Sequence, residues 1–169
     1  MKPTPATPPP APNTFDLFMD LSEVLTGFDQ ADLVATAMGS TYFNELLQNA
    51  GSTATGELLQ AYEQITREFP VRDERFLDAV ATRIMVPFAA LAQNIVTLWY
   101  LARWNQLPGT WRAAHGASAS DQDHIVSADA YVQSLVWKAM DSHPRAAKAP
   151  GFGTWAFPPN VPQTIPPHG

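Results

Sequence analysis

Carboxylates and imidazoles at short spacing are the groups from which this chain could build chemistry. "DQDH", Asp121 to His124, sets two acids beside a histidine, the ingredients of an acid–base pair. Asp16, Asp20 and Glu23 fall at i, i+4 and i+7 of one periodic stretch, so they would share a helix face and could divide acid and base roles. His115, His124, His143 and His168 sit in loops or in the tail. None pairs with a second ligand at i, i+4, so their spacing does not compose a helical metal site. Trp99, Tyr100 and Trp104 gather three large rings that could stack on a ligand or fill a core.

Each of these has a plainer reading that fits its surroundings better. "DQDH" follows the small-residue run "RAAHGASAS" and reads as a solvated loop ahead of a helix. The acidic stripe reads as a solvated helix face, and the three rings as core. "GSTATG" and "GFG" neither follow a strand nor open a helix as a phosphate cradle must, and no nucleophile elbow or dinucleotide fingerprint is present. No catalytic, cofactor-binding or metal-ligating residue is therefore assigned, and the chain reads as a non-enzyme.

The elements that position these residues are helical. Of the 169 residues, 46% are hydrophobic, enough for a core, while only 15% are charged against a typical value of about 25%. A surface short of charge points to coverage by a partner. The net charge is −6 and the basic residues are scattered, which argues against nucleic acid and anionic membrane. The apolar window "IMVPFAALAQNIVTLWYLA" contains Pro87, Gln93, Asn94 and Thr97 and reads as a buried helix rather than a membrane span.

Periodicity places helices from Asn13 or Thr14 to Gly27, from Asp29 to Gly51, across "TGELLQAYEQITREF" up to Pro70, and across "RDERFLDAVATRI". A fifth runs from near Pro87 to about Gln106, and a last one, "ADAYVQSLVWKAM", follows a Ser127 cap. No strand alternation stands out. The expectation is an all-α fold, a compact bundle of about five to six helices over 14–143. A Pro-rich linker (1–13) precedes it and an extended tail (144–169) follows.

That tail contains "APGFGTWAFPPNVPQTIPP", where Phe152, Trp155 and Phe157 lie among prolines and glycines that exclude helix and inner strand. Leaving such rings wet forgoes about 1.5–3 kcal/mol for each. Residue chemistry allows two uses: the tail folds back on its own bundle, or it lies along a partner as a pre-stiffened strap.

Four stretches in this order, "FDLFMDLSEVLTG", "NIVTLWYLARW", "VSADAYVQSLVWKAMDSHP" and "APGFGTW", carry a family likeness. Together the chain resembles the small subunit of bacterial membrane-bound FAD-dependent sugar and polyol dehydrogenases, the sorbitol type most of all. The resemblance implies a non-catalytic, chaperone-like subunit that stabilises a FAD-containing catalytic subunit and helps its assembly and export. It also implies a periplasmic, membrane-associated complex in which a cytochrome c subunit with haem c can take part; the cofactors belong to those partners. Two features depart from the pattern: the twin-arginine signal is not visible, and the Cys that some relatives carry near the start of the tail is missing. The resemblance favours the strap. It suggests a partner interface of Phe152, Trp155 and Phe157, with Tyr131, Trp137, Phe15 and Phe18 beside them. The competing expectation is a stand-alone helical binding or scaffold protein with no flavoprotein partner.

Overall fold

A computed structural model describes residues 13–116 and 118–142. Phe152, Trp155 and Phe157, with residues 1–12 of the linker and the whole tail, lie outside the described residues. Within them the fold is all-α apart from one two-stranded ribbon.

Local capping chemistry sets most helix starts. α1 (Thr14–Thr26) begins where the Asn13 side chain accepts from the Asp16 amide at 2.8 Å, and it stops at Gly27, whose φ of 75° suits a residue without Cβ. α2 (Gln30–Ala35) is capped by Asp29 in the same way. α3 (Gly39–Ala50) and α4 (Ser52–Glu68) follow, with Gly51 between them. α5 (Glu74–Arg83) starts from Asp73, which accepts from the Phe76 amide. α6 (Ala89–Leu101) is the central helix, and α7 (Gly109–His115) lies beyond a turn. Ser127 caps α8 (Ala128–Gln133), and α9 (Leu135–Ala139) closes the described chain.

α1 packs on α4 and α6, and α3 packs on the same two helices, so these four enclose the core. α5 lies on α4, α2 on α1, and α9 on α6. At the centre Phe18 stacks on Trp99 with ring centroids 6.5 Å apart, and Tyr42 meets Trp99 edge-on at 5.0 Å. α3 packs tightly against α1 at Gly39, where an added Cβ would lie 2.8 Å from Met19 Sδ.

The structure corrects the expected segmentation in four places. The single helix predicted from Asp29 to Gly51 is two, broken at Thr36–Met38 with Ala37 at φ 57°. Thr36 Oγ1 donates to Leu33 O at 2.7 Å and accepts from the Met38 amide at 3.1 Å, offering the backbone a turn in place of helix. The fifth helix ends at Leu101 instead of Gln106, because Ala102 turns left-handed at φ 53°. Arg103–Trp104 then forms strand β1, paired antiparallel with β2 (His124–Ile125), Trp104 opposite His124. "RAAH", read as part of a small-residue loop, lies within helix α7. The last helix is divided at Ser134, whose buried hydroxyl donates to Ala130 O at 3.1 Å.

Candidate functional site

Of the carboxylates that sequence spacing brought forward, Asp20, Glu23, Asp121 and Asp123 are engaged in holding the fold, while Asp16 is exposed. Asp121, read as part of a solvated loop, is fully buried. Its Oδ1 accepts from the Trp104 indole N–H at 2.9 Å and from the Leu107 amide at 3.0 Å, while Oδ2 faces Arg112 Nε at 3.2 Å. Asp123 accepts from the Gln106 amide at 2.7 Å and pairs with Arg103 at 3.1 Å. The Gln106 bond, together with Arg103, holds the Asp123 carboxyl below the usual carboxylate range. "DQDH" is thus a brace across the turn after α6 rather than a free loop. A buried Trp needs an acceptor for its N–H, and that requirement was the one signal in the sequence that pointed to it.

Two of the three acids of the α1 stripe, Asp20 and Glu23, are likewise tied down. Asp20 accepts from Tyr62 OH at 2.7 Å and pairs with Arg72, which also reaches Glu23 at 3.1 Å. Burial, and secondarily the bond to Asp20, push the Tyr62 hydroxyl above its ordinary range, so it is held as a donor rather than as a base. His124 has both ring nitrogens engaged, by Gln122 O at 2.8 Å and Glu45 Oε2 at 3.0 Å. Among the described residues no group of three His, Cys, Asp or Glu side chains could hold a metal ion. Among them too, no helix is long and apolar enough to cross a membrane. Trp99 and Trp104 are core, as expected; Tyr100 is half-buried and donates to Thr26 O at 2.9 Å.

The predicted interface residues divide. Phe18 is fully buried between α1 and α6 and has no surface to offer a partner, so its assignment to an interface is corrected to core. The wide apolar face of α1 is closed from inside by α3, α4 and α6. Phe15 is half-buried, edge-on to Phe43 at 5.7 Å, and it lines a shallow groove with Met19, Val34 and Gly39. Tyr131 is 40% exposed and Trp137 half-buried; they meet edge-on at 5.2 Å, and the Trp137 indole donates to Tyr131 O at 2.8 Å.

Tyr131 and Trp137 belong to a surface that sequence spacing did not assemble. Lys138 of α9 pairs with Asp32 of α2 and stands over the Phe28 ring at 5.7 Å; Phe28 in turn meets Tyr100. These contacts join α2, α9 and the end of α6. Val34, at 64% exposure, lies on the Phe15–Met19 groove, away from the Asp32 pair, while Tyr131 of α8 and Met140, the residue after α9 at 67%, remain in solvent. The described chain ends here, at Ser142, with the Ser142 amide donating to Trp137 O at 2.7 Å. The arrangement offers apolar and aromatic contact area with a neutralised charge pair inside it, which suits binding rather than bond-making.

Comparison with protein-family models, with curated proteins and with solved structures yields no match to this chain.

Proposed function

We propose that this chain is a non-catalytic subunit that binds and stabilises the FAD-containing catalytic subunit of a sugar or polyol dehydrogenase, sorbitol-type first, and helps its assembly and export. The complex would sit at the periplasmic side of the membrane, with a haem c subunit as a further partner. The resemblance of the four ordered stretches supplies the identity of the partner. The observation that carries a binding role is the exposed apolar pair at the end of the described chain, Tyr131 of α8 and Met140 just after α9. Both stand in solvent although the core between α1, α3, α4 and α6 is already closed. Isolated exposed apolar side chains are ordinary; these two lie close together in the chain, just before it runs on towards Phe152, Trp155 and Phe157. Aromatic anchors in that tail would continue the same contact.

The test is co-purification. The full chain, tagged and co-expressed with a candidate flavoprotein subunit, should retain a yellow complex through gel filtration. Tyr131→Ala and Trp155→Ala should weaken that retention, while each variant alone stays folded. A tagged chain that elutes as a stable monomer without flavin, beside an abundant flavoprotein, would favour the stand-alone scaffold instead.

A further inference from the structure

We propose that in the free chain the tail docks its aromatic segment, 152–157, on the groove between α1, α2 and the start of α3. The proposal goes beyond the partner role above and needs no flavoprotein. Phe15 and Met19 of α1, Val34 of α2, Ala37 in the turn that follows and Gly39 line this groove. Its volume is about 420 Å³, in the range that holds a drug-sized ligand. Met19 and Gly39 are buried while Val34 is exposed, so the groove is apolar and open to solvent.

Charge says what fits there. Among the described residues every Lys and Arg is already paired with a carboxylate. Asp16, exposed beside Phe15 on the same groove, is not among those carboxylates. Residues 143–169 are the reverse: they hold Arg145 and Lys148 and neither Asp nor Glu. Phe152 and Trp155 follow Lys148 closely in that segment. With Phe152 in the groove, Lys148 is at most about 13 Å of extended chain away, near enough for its ammonium to face Asp16.

The tail also sets out from the right place. Lys138 ties α9 to Asp32 of α2, and the described chain ends shortly afterwards at Ser142. Gln30 and Val34 lie on one side of α2 and Asp32 on the other, with exposed Ala31 and Ala35 on the face between them. A helix with its side chains is about 10–12 Å across, whereas the stretch from Ser142 to Phe152 spans up to about 33 Å. The chain can cross α2 over the two alanines and reach the groove with slack. Pro144 and Pro150 reduce the entropy lost on ordering that stretch. Binding a flavoprotein through the same rings would require them to leave the groove first.

Two readouts on the full chain test this without flavoprotein present, so failure here and failure of the proposed partner are told apart. The chain contains no Cys, so Thr154→Cys offers a single site for a spin label. The NMR signals of the Val34, Ala37 and Ser40 amides should broaden, while those of Leu77 and Trp111, on other grooves, should stay sharp. Trypsin cleavage after Lys148 should speed up roughly tenfold in Val34→Glu, the scale of one buried valine side chain. Val34 is exposed, so this variant keeps its fold; Val86→Glu, at another exposed valine, should leave the rate unchanged. Broadening centred on Leu77 or Trp111, or spread evenly over the chain, would overturn the docking. So would an unchanged cleavage rate in Val34→Glu, or broadening that passes only between separate copies, which would give the groove to a second copy's tail.

Discussion

Replacing Asp121 separates a structural brace from a solvated loop acid. Asp121→Ala leaves two buried donors, the Trp104 indole N–H and the Leu107 amide, without their acceptor. An orphaned buried donor costs about 1–3 kcal/mol, so the two together should remove roughly 3–4 kcal/mol. The lost pair with Arg112, whose side chain is 36% exposed, adds less than about 1 kcal/mol. Against a total stability of about 5–15 kcal/mol for a domain, that is a large fraction. Asp121→Asn keeps the Oδ1 acceptor and gives up only the charge opposite Arg112, so its loss should stay near 1 kcal/mol. Urea unfolding followed by far-UV circular dichroism reads both, with the denaturant slope unchanged if only the folded state is affected. A stability for Asp121→Ala within about 0.5 kcal/mol of the unmodified chain, the range of ordinary surface substitutions, would refute the brace. Equal losses for Ala and Asn would refute the assignment of the stabilisation to Oδ1.

Phe18→Ala should cost about 3–5 kcal/mol because it empties a closed core, whereas Tyr131→Ala should leave the melting transition almost unmoved and weaken association with the proposed flavoprotein partner; calorimetry and co-purification read the two effects separately. Burial drives the Tyr42 and Tyr62 hydroxyls above the ordinary tyrosine range, so their phenolate absorbance at 295 nm should appear only with alkaline unfolding and not as an earlier reversible step. The Phe76 amide, with Arg75, holds the Asp73 carboxyl below its usual range, and the Gln106 amide, with Arg103, does the same for Asp123. The stability they contribute is present above the ordinary carboxylate pKa of about 4 and is lost as pH falls through the lower folded values; Asp73→Asn and Asp123→Asn should flatten that acid limb of a melting-temperature profile.

Helix existence was legible because its causes are local. Asn13, Asp29, Asp73 and Ser127 cap helices as their types dictate, Gly27 ends α1, and the apolar run of α6 marks the central helix. The breaks were not legible, because they depend on hydroxyls that can serve helix or turn equally. Nothing in "ATAMG" announces that Thr36 will bond Leu33 O, and Ser134 looks like any polar position of a helix until Ala130 O receives its hydroxyl. Ala102 adopts a left-handed backbone with no glycine to signal it.

The same limit governed the candidate surface. Aromatic type drew attention to Tyr131 and Trp137, and the structure gives them an edge-on pair on the solvent side of α8 and α9. Type alone equally drew in Phe18, which tertiary packing hides behind Phe43 and Trp99. Neither Lys138 nor Asp32 stood out, since a pair 106 residues apart in sequence leaves no spacing to read. The "DQDH" acids looked solvated because loops usually are; the acceptor that Trp104 requires lies across the chain and becomes visible only once the ribbon forms.

The most direct test of the proposed role is the amount of flavin-loaded dehydrogenase that accumulates when the catalytic subunit is expressed with and without this chain, measured by flavin absorbance per unit of purified protein. Loaded enzyme should accumulate with the chain and fall severalfold without it. Equal accumulation in both cases would contradict that role.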